Sequence, residues 1–203
     1  MDLKDTYNKI AKDWNKDHKI DTWWNVGTVK FTSYLKKGDS ILDVGCAGGM
    51  KSEFLANQGF AITGIDLSDE MIKIAKDRMP NGEFYVKDIT QPLGLDNQFD
   101  GVFAQAVLLH ISKKDIRKVL KNLLNVLKTG GHLYIAVKQL REGEKDEQVV
   151  QENDYGYEYE RFFSFYTLPE LERYMKEFDM EIVFSDITRN GNTDWIQIIA
   201  KKV

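Results

Sequence analysis

Several side chains in this sequence have a type and spacing that could do chemistry. Asp66 ends an apolar, strand-like run, Ala61-Ile62-Thr63-Gly64-Ile65, and lies 17 residues after Gly49. Gly49 closes a loop of very small residues, Gly45-Cys46-Ala47-Gly48-Gly49, which follows a second strand-like run, Ser40-Ile41-Leu42-Asp43-Val44. Glycine visits positive φ without steric cost and lets a backbone come close to a ligand, and the helix start after such a loop presents unpaired N–H groups. An acidic side chain at the carboxyl end of the next strand can accept hydrogen bonds from both hydroxyls of a ribose. Loop and carboxylate together mark a nucleoside-containing ligand. His110 carries an imidazole poised near neutrality, either a general base at the edge of that ligand or a cap for the turn that follows. Arg161 offers a fork suited to an anionic group, or to a neighbouring glutamate. Cys46 has a potentially nucleophilic thiol, but its place inside the small-residue loop reads as a filler.

The elements that must position these residues alternate between strand and helix. Ser68 can cap a helix with Asp69 and Glu70 in its first turn and Met71, Ile74, Ala75 and Met79 inward, ended by Pro80-Asn81-Gly82. Glu83 to Lys87 reads as a third strand, running into Asp88-Ile89, and Phe99 to Ala104 as a fourth, running into Gln105. Ser112 and Asp115 form a capping-box pattern for a helix with Ile116, Val119, Leu120, Leu123 and Leu127 inward, stopped by Gly130-Gly131 before a fifth strand at Leu133 to Val137. Alternation of this kind implies an α/β fold with a parallel, doubly wound sheet and right-handed crossovers. The C-terminal part departs from it, because Ile182-Val183-Phe184 and Trp195 to Ile199 are joined by a turn at Arg189-Asn190-Gly191-Asn192, too short for anything but an antiparallel pair.

Two segments lie outside this frame. Up to about Tyr34 the chain is helical by pattern, with Tyr7, Ile10, Ala11 and Trp14 on one face as a candidate lid and Trp23 and Trp24 read as packing onto the core. Between Lys138 and Phe165 runs a long polar stretch that ends in Tyr155, Tyr157, Tyr159, Arg161, Phe162 and Phe163. Its alternating tyrosines suggest a β-like arm, serving as a substrate lid or as a dimerisation arm. The expected organisation is one domain over 1–203, with a helical cap at 1–36 and the lid or arm at 138–165.

The 203 residues carry 28 basic and 32 acidic side chains and a net charge of −4. That balance lacks the broad basic footprint that duplex nucleic acid or an anionic membrane requires. One cysteine excludes a disulfide framework, and the absence of an 18-residue apolar run or a signal-peptide pattern leads to the expectation of a cytoplasmic protein, monomer or homodimer, without a metal.

Two cofactor classes compete for the loop. A dinucleotide fingerprint would read G-x-G-x-x-G, whereas the small residues fall as Gly45-x-Ala47-x-Gly49 with Asp43 two positions earlier, where a pyrophosphate would be repelled and a cationic amino-acid cofactor would not. The run Leu42 to Gly49 resembles the first motif of the class I S-adenosylmethionine-dependent methyltransferases, of the small bacterial type, with Ala47 where glycine is usual. The resemblance implies a Rossmann-like seven-stranded sheet, mostly parallel with one antiparallel strand near the C-terminus. It implies S-adenosylmethionine as cofactor and S-adenosylhomocysteine as product. Gly45, Cys46, Ala47 and Gly49 would hold the cofactor's amino-acid end, Asp66 its ribose, and Asp88 the adenine amino group between Met71 and Ile89, with Leu67 and Gln105 completing the set. An N-terminal cap would close over it, with Tyr7, Trp14, Tyr159 and Arg161 toward the acceptor and His110 as the catalytic base. Ala104-Gln105-Ala106-Val107 departs from the Asn/Asp-Pro-Pro-aromatic signature of nucleic-acid amino methyltransferases, which points to a small-molecule acceptor. A nicotinamide-dependent oxidoreductase and a non-catalytic module that binds S-adenosylmethionine or S-adenosylhomocysteine stay open as alternatives.

Overall fold

The computed structural model describes residues 2–18, 23–95 and 98–203. Two N-terminal helices, α1 (Leu3–Asp17) and α2 (Asn25–Thr32), precede β1 (Ser40–Val44), α3 (Met50–Asn57), β2 (Ala61–Asp66), α4 (Asp69–Arg78), β3 (Glu83–Val86) and β4 (Phe99–Gln105). A single 3-10 turn at Leu108–His110 leads to α5 (Ile116–Asn125), β5 (Leu127–Lys138), the hairpin β6 (Glu147–Glu152) and β7 (Tyr159–Ser164), α6 (Leu168–Glu177), β8 (Met180–Asn190) and β9 (Thr193–Lys202).

Seven strands form one sheet in the order β3-β2-β1-β4-β5-β9-β8, and β6 and β7 form a separate two-stranded sheet. β1 pairs in parallel with β2 and β4, and β9 pairs antiparallel with both β5 and β8, so β9 alone runs against the rest. The central strands are mostly apolar because both faces are covered. Along β1, Ile41 joins Phe31, Leu55, Phe103 and Tyr134 on one face, and Leu42 joins Val102, Leu120, Leu133 and Leu171 on the other. α2 crosses the first face through Gly27, where an added Cβ would lie 1.7 Å from Gln197 Oε1. Beneath it the Tyr134 hydroxyl donates to Gln197 Oε1 (2.7 Å) and Gln197 Nε2 donates to Thr188 Oγ1 (2.6 Å), which satisfies a polar chain in an otherwise apolar layer.

Several expectations are corrected. α5 begins at Ile116 rather than Ser112, because the Ser112 hydroxyl donates to Glu147 Oε1 of β6 (3.0 Å) instead of capping the helix. The helix ends at Asn125, Leu127 opens β5, and Gly130 (φ 80°) and Gly131 lie inside that strand. β8 and β9 extend well beyond their apolar centres, each strand lending hydrogen bonds to the other up to the turn. By contrast, the Ser68 cap of α4 forms, and Thr167 caps α6 in the same way. Among the described residues no helix is long and apolar enough to cross a membrane.

Candidate active site

Strand order reverses at β1 and β4, and the carboxyl ends of parallel strands leave a crevice at such a switch point. The loop from β1 into α3 turns sharply there, with Gly45, Ala47 and Gly49 at φ 69°, 47° and 77°. Gly45 N and Cys46 N donate to Ile65 O, and Ala47 N donates to Asp66 Oδ2 (2.9 Å), so the end of β2 holds the loop in place. Asp66 also accepts from Ser68 N (2.8 Å). Burial raises its carboxyl above the usual range, with the backbone N–H donors opposing.

A cavity of about 740 Å³, open to solvent, occupies the crevice. Gly45, Ala47, Asp66 and Leu67 form one side, Asp88 and Ile89 a second, and Gln105, Ala106 and Val107 a third. Leu3, Tyr7 and Trp14 of α1 roof it. Gln105 is 2% exposed, and among the described residues neither its amide oxygen nor its nitrogen has a hydrogen-bond partner, so this wall asks for a ligand with a donor and an acceptor. Two carboxylates, apolar faces from Leu67 and Ile89 and an unpartnered amide fit a nucleoside with an amino-acid tail.

Not every expected residue reaches it. Met71 is fully buried beneath α4 and does not line the cavity, where Leu67 supplies the apolar contact instead. Cys46 packs with Ile72, Ala75 and Phe84. Its thiol is pushed well up by burial, with Asp66 and Asp43 adding, which leaves no thiolate to react. Gly49 shapes the turn without lining the cavity, its missing Cβ making room for Ala75. Asp43, 2% exposed, also stands back from it, accepting from Ser52 Oγ (2.6 Å) and raised to about 6 by burial.

A second chamber of about 690 Å³ adjoins the first and shares Tyr7, Trp14, Lys51, Ala106 and His110 with it. Trp23, Trp24, Phe163 and Trp195 give it aromatic walls, and Lys138 and Arg161 line it with positive charge. Trp23 stacks on Trp195 at 4.1 Å and Trp24 meets Phe54 edge-on at 5.0 Å, so the two tryptophans read as core packing are wall residues as well.

His110 spans this chamber's edge. Nδ1 lies 2.8 Å from Phe162 O and must carry the hydrogen, since a carbonyl only accepts. Nε2 therefore accepts from the Tyr7 hydroxyl at 2.7 Å. Burial holds the imidazole down to about 3, and Arg161 and Lys138 add to the effect. A general base needs a free lone pair, and this one is engaged by Tyr7. The geometry makes His110 a strut between α1 and β7.

Arg161 closes its fork on Glu152, Nε and Nη2 each 2.6 Å from a carboxylate oxygen, and so takes the neighbouring glutamate rather than an outside anion. Tyr159 is 3% exposed, donates to Asp154 (3.1 Å), stacks on Tyr155 and lines neither space, which removes it from the acceptor set. The β6–β7 hairpin instead grips α1: Thr6 Oγ1 donates to Glu160 O (3.1 Å), Lys9 to Glu158 O (2.7 Å) and the Tyr157 hydroxyl to Asp13 (2.7 Å). On its other side α1 meets α4 through Lys4–Asp69 (2.7 Å) and through Asn8, which accepts from Ser68 Oγ (2.7 Å). Lys138 and Trp195 escaped sequence reasoning because their juxtaposition depends on the register of β5 with β9, which pairs them directly.

A family profile described as a methyltransferase domain matches residues 41–131. A ubiquinone biosynthesis O-methyltransferase of Coxiella burnetii is 29% identical over 140 residues, 64% of this chain and 58% of that protein. The chain thus spans somewhat under three fifths of the length of that curated relative. A crystal structure of a SAM-dependent methyltransferase from Methanosarcina mazei superposes with a TM-score of 0.74 at 25% identity, over 91% of this chain and 99% of that one. The 1,6-didemethyltoxoflavin-N1-methyltransferase of Burkholderia thailandensis shares the fold, with a TM-score of 0.78 at 17% identity over 99% and 87% of the two chains. The profile runs from β1 to the glycines of β5 and takes in the small-residue loop, Asp66, Asp88 and Gln105, and the superposition extends the likeness over most of the chain: it resembles S-adenosylmethionine-dependent methyltransferases in sequence over this segment and in fold beyond it.

Proposed function

We propose that this protein transfers a methyl group from S-adenosylmethionine to a small-molecule acceptor and releases S-adenosylhomocysteine. The observation that carries the reading is the shared wall: a crevice furnished for a nucleoside amino acid opens directly onto an aromatic chamber of similar size. Asp66 would accept from the ribose, Asp88 and Ile89 would face the base, Gly45 and Ala47 would lie against the amino-acid end, and Gln105 would gain its missing partners. When bound, the cofactor supplies an electrophilic methyl group on sulfur. The chain's own part is to hold the acceptor against that methyl and keep water away. On this reading residues 1–203 work as one unit in the cytoplasm, with 1–36 as a cap and 138–165 as a lid over the acceptor. The adjoining chamber favours transfer over mere sensing, and the glycine spacing disfavours a nicotinamide dinucleotide.

Calorimetry with S-adenosylmethionine, S-adenosylhomocysteine and NAD tests the cofactor. The expected result is binding of the first two alone, weakened at least roughly tenfold by Asp66→Ala through loss of a charged acceptor worth about 1.5–3 kcal/mol. Tighter binding of NAD, or an Asp66→Ala variant with unchanged affinity, would overturn the assignment. Mass spectrometry of methyl groups transferred from isotopically labelled cofactor to co-purifying small molecules then tests catalysis.

A further inference from the structure

Resting on the reading of the second chamber as the acceptor site, we propose that it takes a planar aromatic acceptor in its anionic form and that Lys138 recognises the anionic group. Lys138 ends β5, directly across from Trp195 of β9, so the two side chains leave the same face of the sheet as cross-strand neighbours. Its Nζ lies 4.2 Å from the centroid of the Phe163 ring, and among the described residues no carboxylate pairs with it. The nearby acid, Glu152, has both oxygens committed to Arg161. Of these two cations, Arg161 is neutralised in place and Lys138 is not.

Independent evidence comes from the indoles. Trp24 and Trp195 are 5% and 7% exposed, both line the chamber, and in each the indole N–H lacks a hydrogen-bond partner among the described residues. An indole nitrogen can only donate, so the missing partners are acceptors. Leaving a buried donor unsatisfied is costly, and a ligand oxygen would remove that cost. Among the described residues no aspartate or glutamate lines this space. A ligand ammonium would find repulsion and no acceptor carboxylate, whereas an anion would find donors and charge of the right sign. Walls of tryptophan, phenylalanine and tyrosine select a flat ring through stacking and edge contacts.

The same picture accounts for the state of His110. With Nε2 accepting from Tyr7, His110 offers no free lone pair to strip a proton from a neutral alcohol or amine. A phenol or aryl acid that arrives already ionised needs none. Its nucleophilic oxygen carries the electron pair for the new bond, and no proton is left to place.

The test is binding, read by tryptophan fluorescence and calorimetry with and without S-adenosylhomocysteine. The probes are 4-hydroxybenzoate, its neutral isostere 4-hydroxybenzamide and the cationic 4-hydroxybenzylamine. The anion is expected to bind at least roughly tenfold tighter than the other two. Lys138→Met should bring anion and amide within about twofold of each other while leaving S-adenosylhomocysteine affinity unchanged, as expected for loss of one charge contact. Trp195→Phe, which keeps the ring and removes the N–H, should weaken the anion severalfold and spare the amide, and circular dichroism would verify both variants as folded. Equal or tighter binding of amide or amine, a Lys138→Met variant that keeps the preference, or no anion binding at millimolar concentration would each overturn the proposal. Anion preference without S-adenosylhomocysteine binding would instead support the chamber's chemistry and sink the methyltransferase reading.

Discussion

Ala47 and Ala106 hold positive φ, 47° and 56°, and both line the nucleoside crevice. An L-residue in this region costs roughly 1–2 kcal/mol, so strain sits where the backbone must face the ligand. Ala47→Gly should therefore raise unfolding free energy by about 1 kcal/mol in urea titrations while cofactor affinity stays level. Gly45→Val is expected to do the opposite. At φ 69° its Cβ would lie 2.7 Å from Val107 Cγ2, and because Val107 itself walls the crevice, relief by moving it would close the site. The measurement is calorimetry on a folded variant, with loss of detectable binding as the expected outcome. Asp43 carries a different cost. Held up to about 6, its carboxyl keeps a proton in the fold that the unfolded chain has already lost, so stability is full below about 4 and declines as pH rises to 6. Above that, the penalty reaches roughly 3 kcal/mol. His110 runs the other way: neutral in the fold down to about 3, it leaves stability intact above about 6.5 and erodes it as pH falls. Denaturation at pH 4 and pH 8 separates the two. Asp43→Asn should gain roughly 1–3 kcal/mol on the parent between those values, and an equal shift at both would show the carboxyl to be unperturbed.

At the scale of elements, α1 is the piece that links sequence to closure. Its inner face is apolar at Ile10 and Ala11, its flanks carry Lys4 and Asn8 toward α4 and Thr6, Lys9 and Asp13 toward the hairpin, and Tyr7 reaches down to His110. The polar contacts among these are partly buried or exposed, so α1 and the hairpin should open together at low free energy and close together on a ligand. Hydrogen exchange with and without S-adenosylhomocysteine is expected to show protection across 3–17 and 155–163 as well as in the loop after β1. Protection confined to the loop and Asp66 would leave the hairpin as a dimerisation arm. Much of this was legible beforehand. The 3.6-residue period of Tyr7, Ile10, Ala11 and Trp14 marks α1, and the alternating tyrosines mark the hairpin. What the sequence could not tell is which acid Arg161 would meet, because Glu152 lies nine residues away and only strand pairing brings the two together. For the same reason Ser112 gave a false helix start: a local capping pattern lost its hydroxyl to a residue on another strand.

The whole molecule divides unevenly in how far sequence speaks for it. The half from β1 to β4 builds its crevice from loops directly after strands, so each wall residue sits within a few positions of a recognisable strand end; Asp66 could be named from spacing, and Asp88 and Gln105 from the family resemblance. Lys138 and the indoles of Trp23, Trp24 and Trp195 come together only because β9 inserts antiparallel beside β5 and α2 is set down on the sheet at Gly27, neither of which has a local signature.

The wall common to the two spaces has a kinetic consequence. Tyr7, Trp14, Lys51, Ala106 and His110 face both, so whatever fills the crevice also completes the floor of the chamber. A molecule entering the chamber first would lack that floor, and would lie across the route by which α1 admits the nucleoside. Turnover should then follow a compulsory order, nucleoside on first and off last. Steady-state inhibition by S-adenosylhomocysteine would read this directly, competitive against S-adenosylmethionine and mixed against the acceptor, whereas random entry would leave the pattern competitive against the first and insensitive to how much of the second is present.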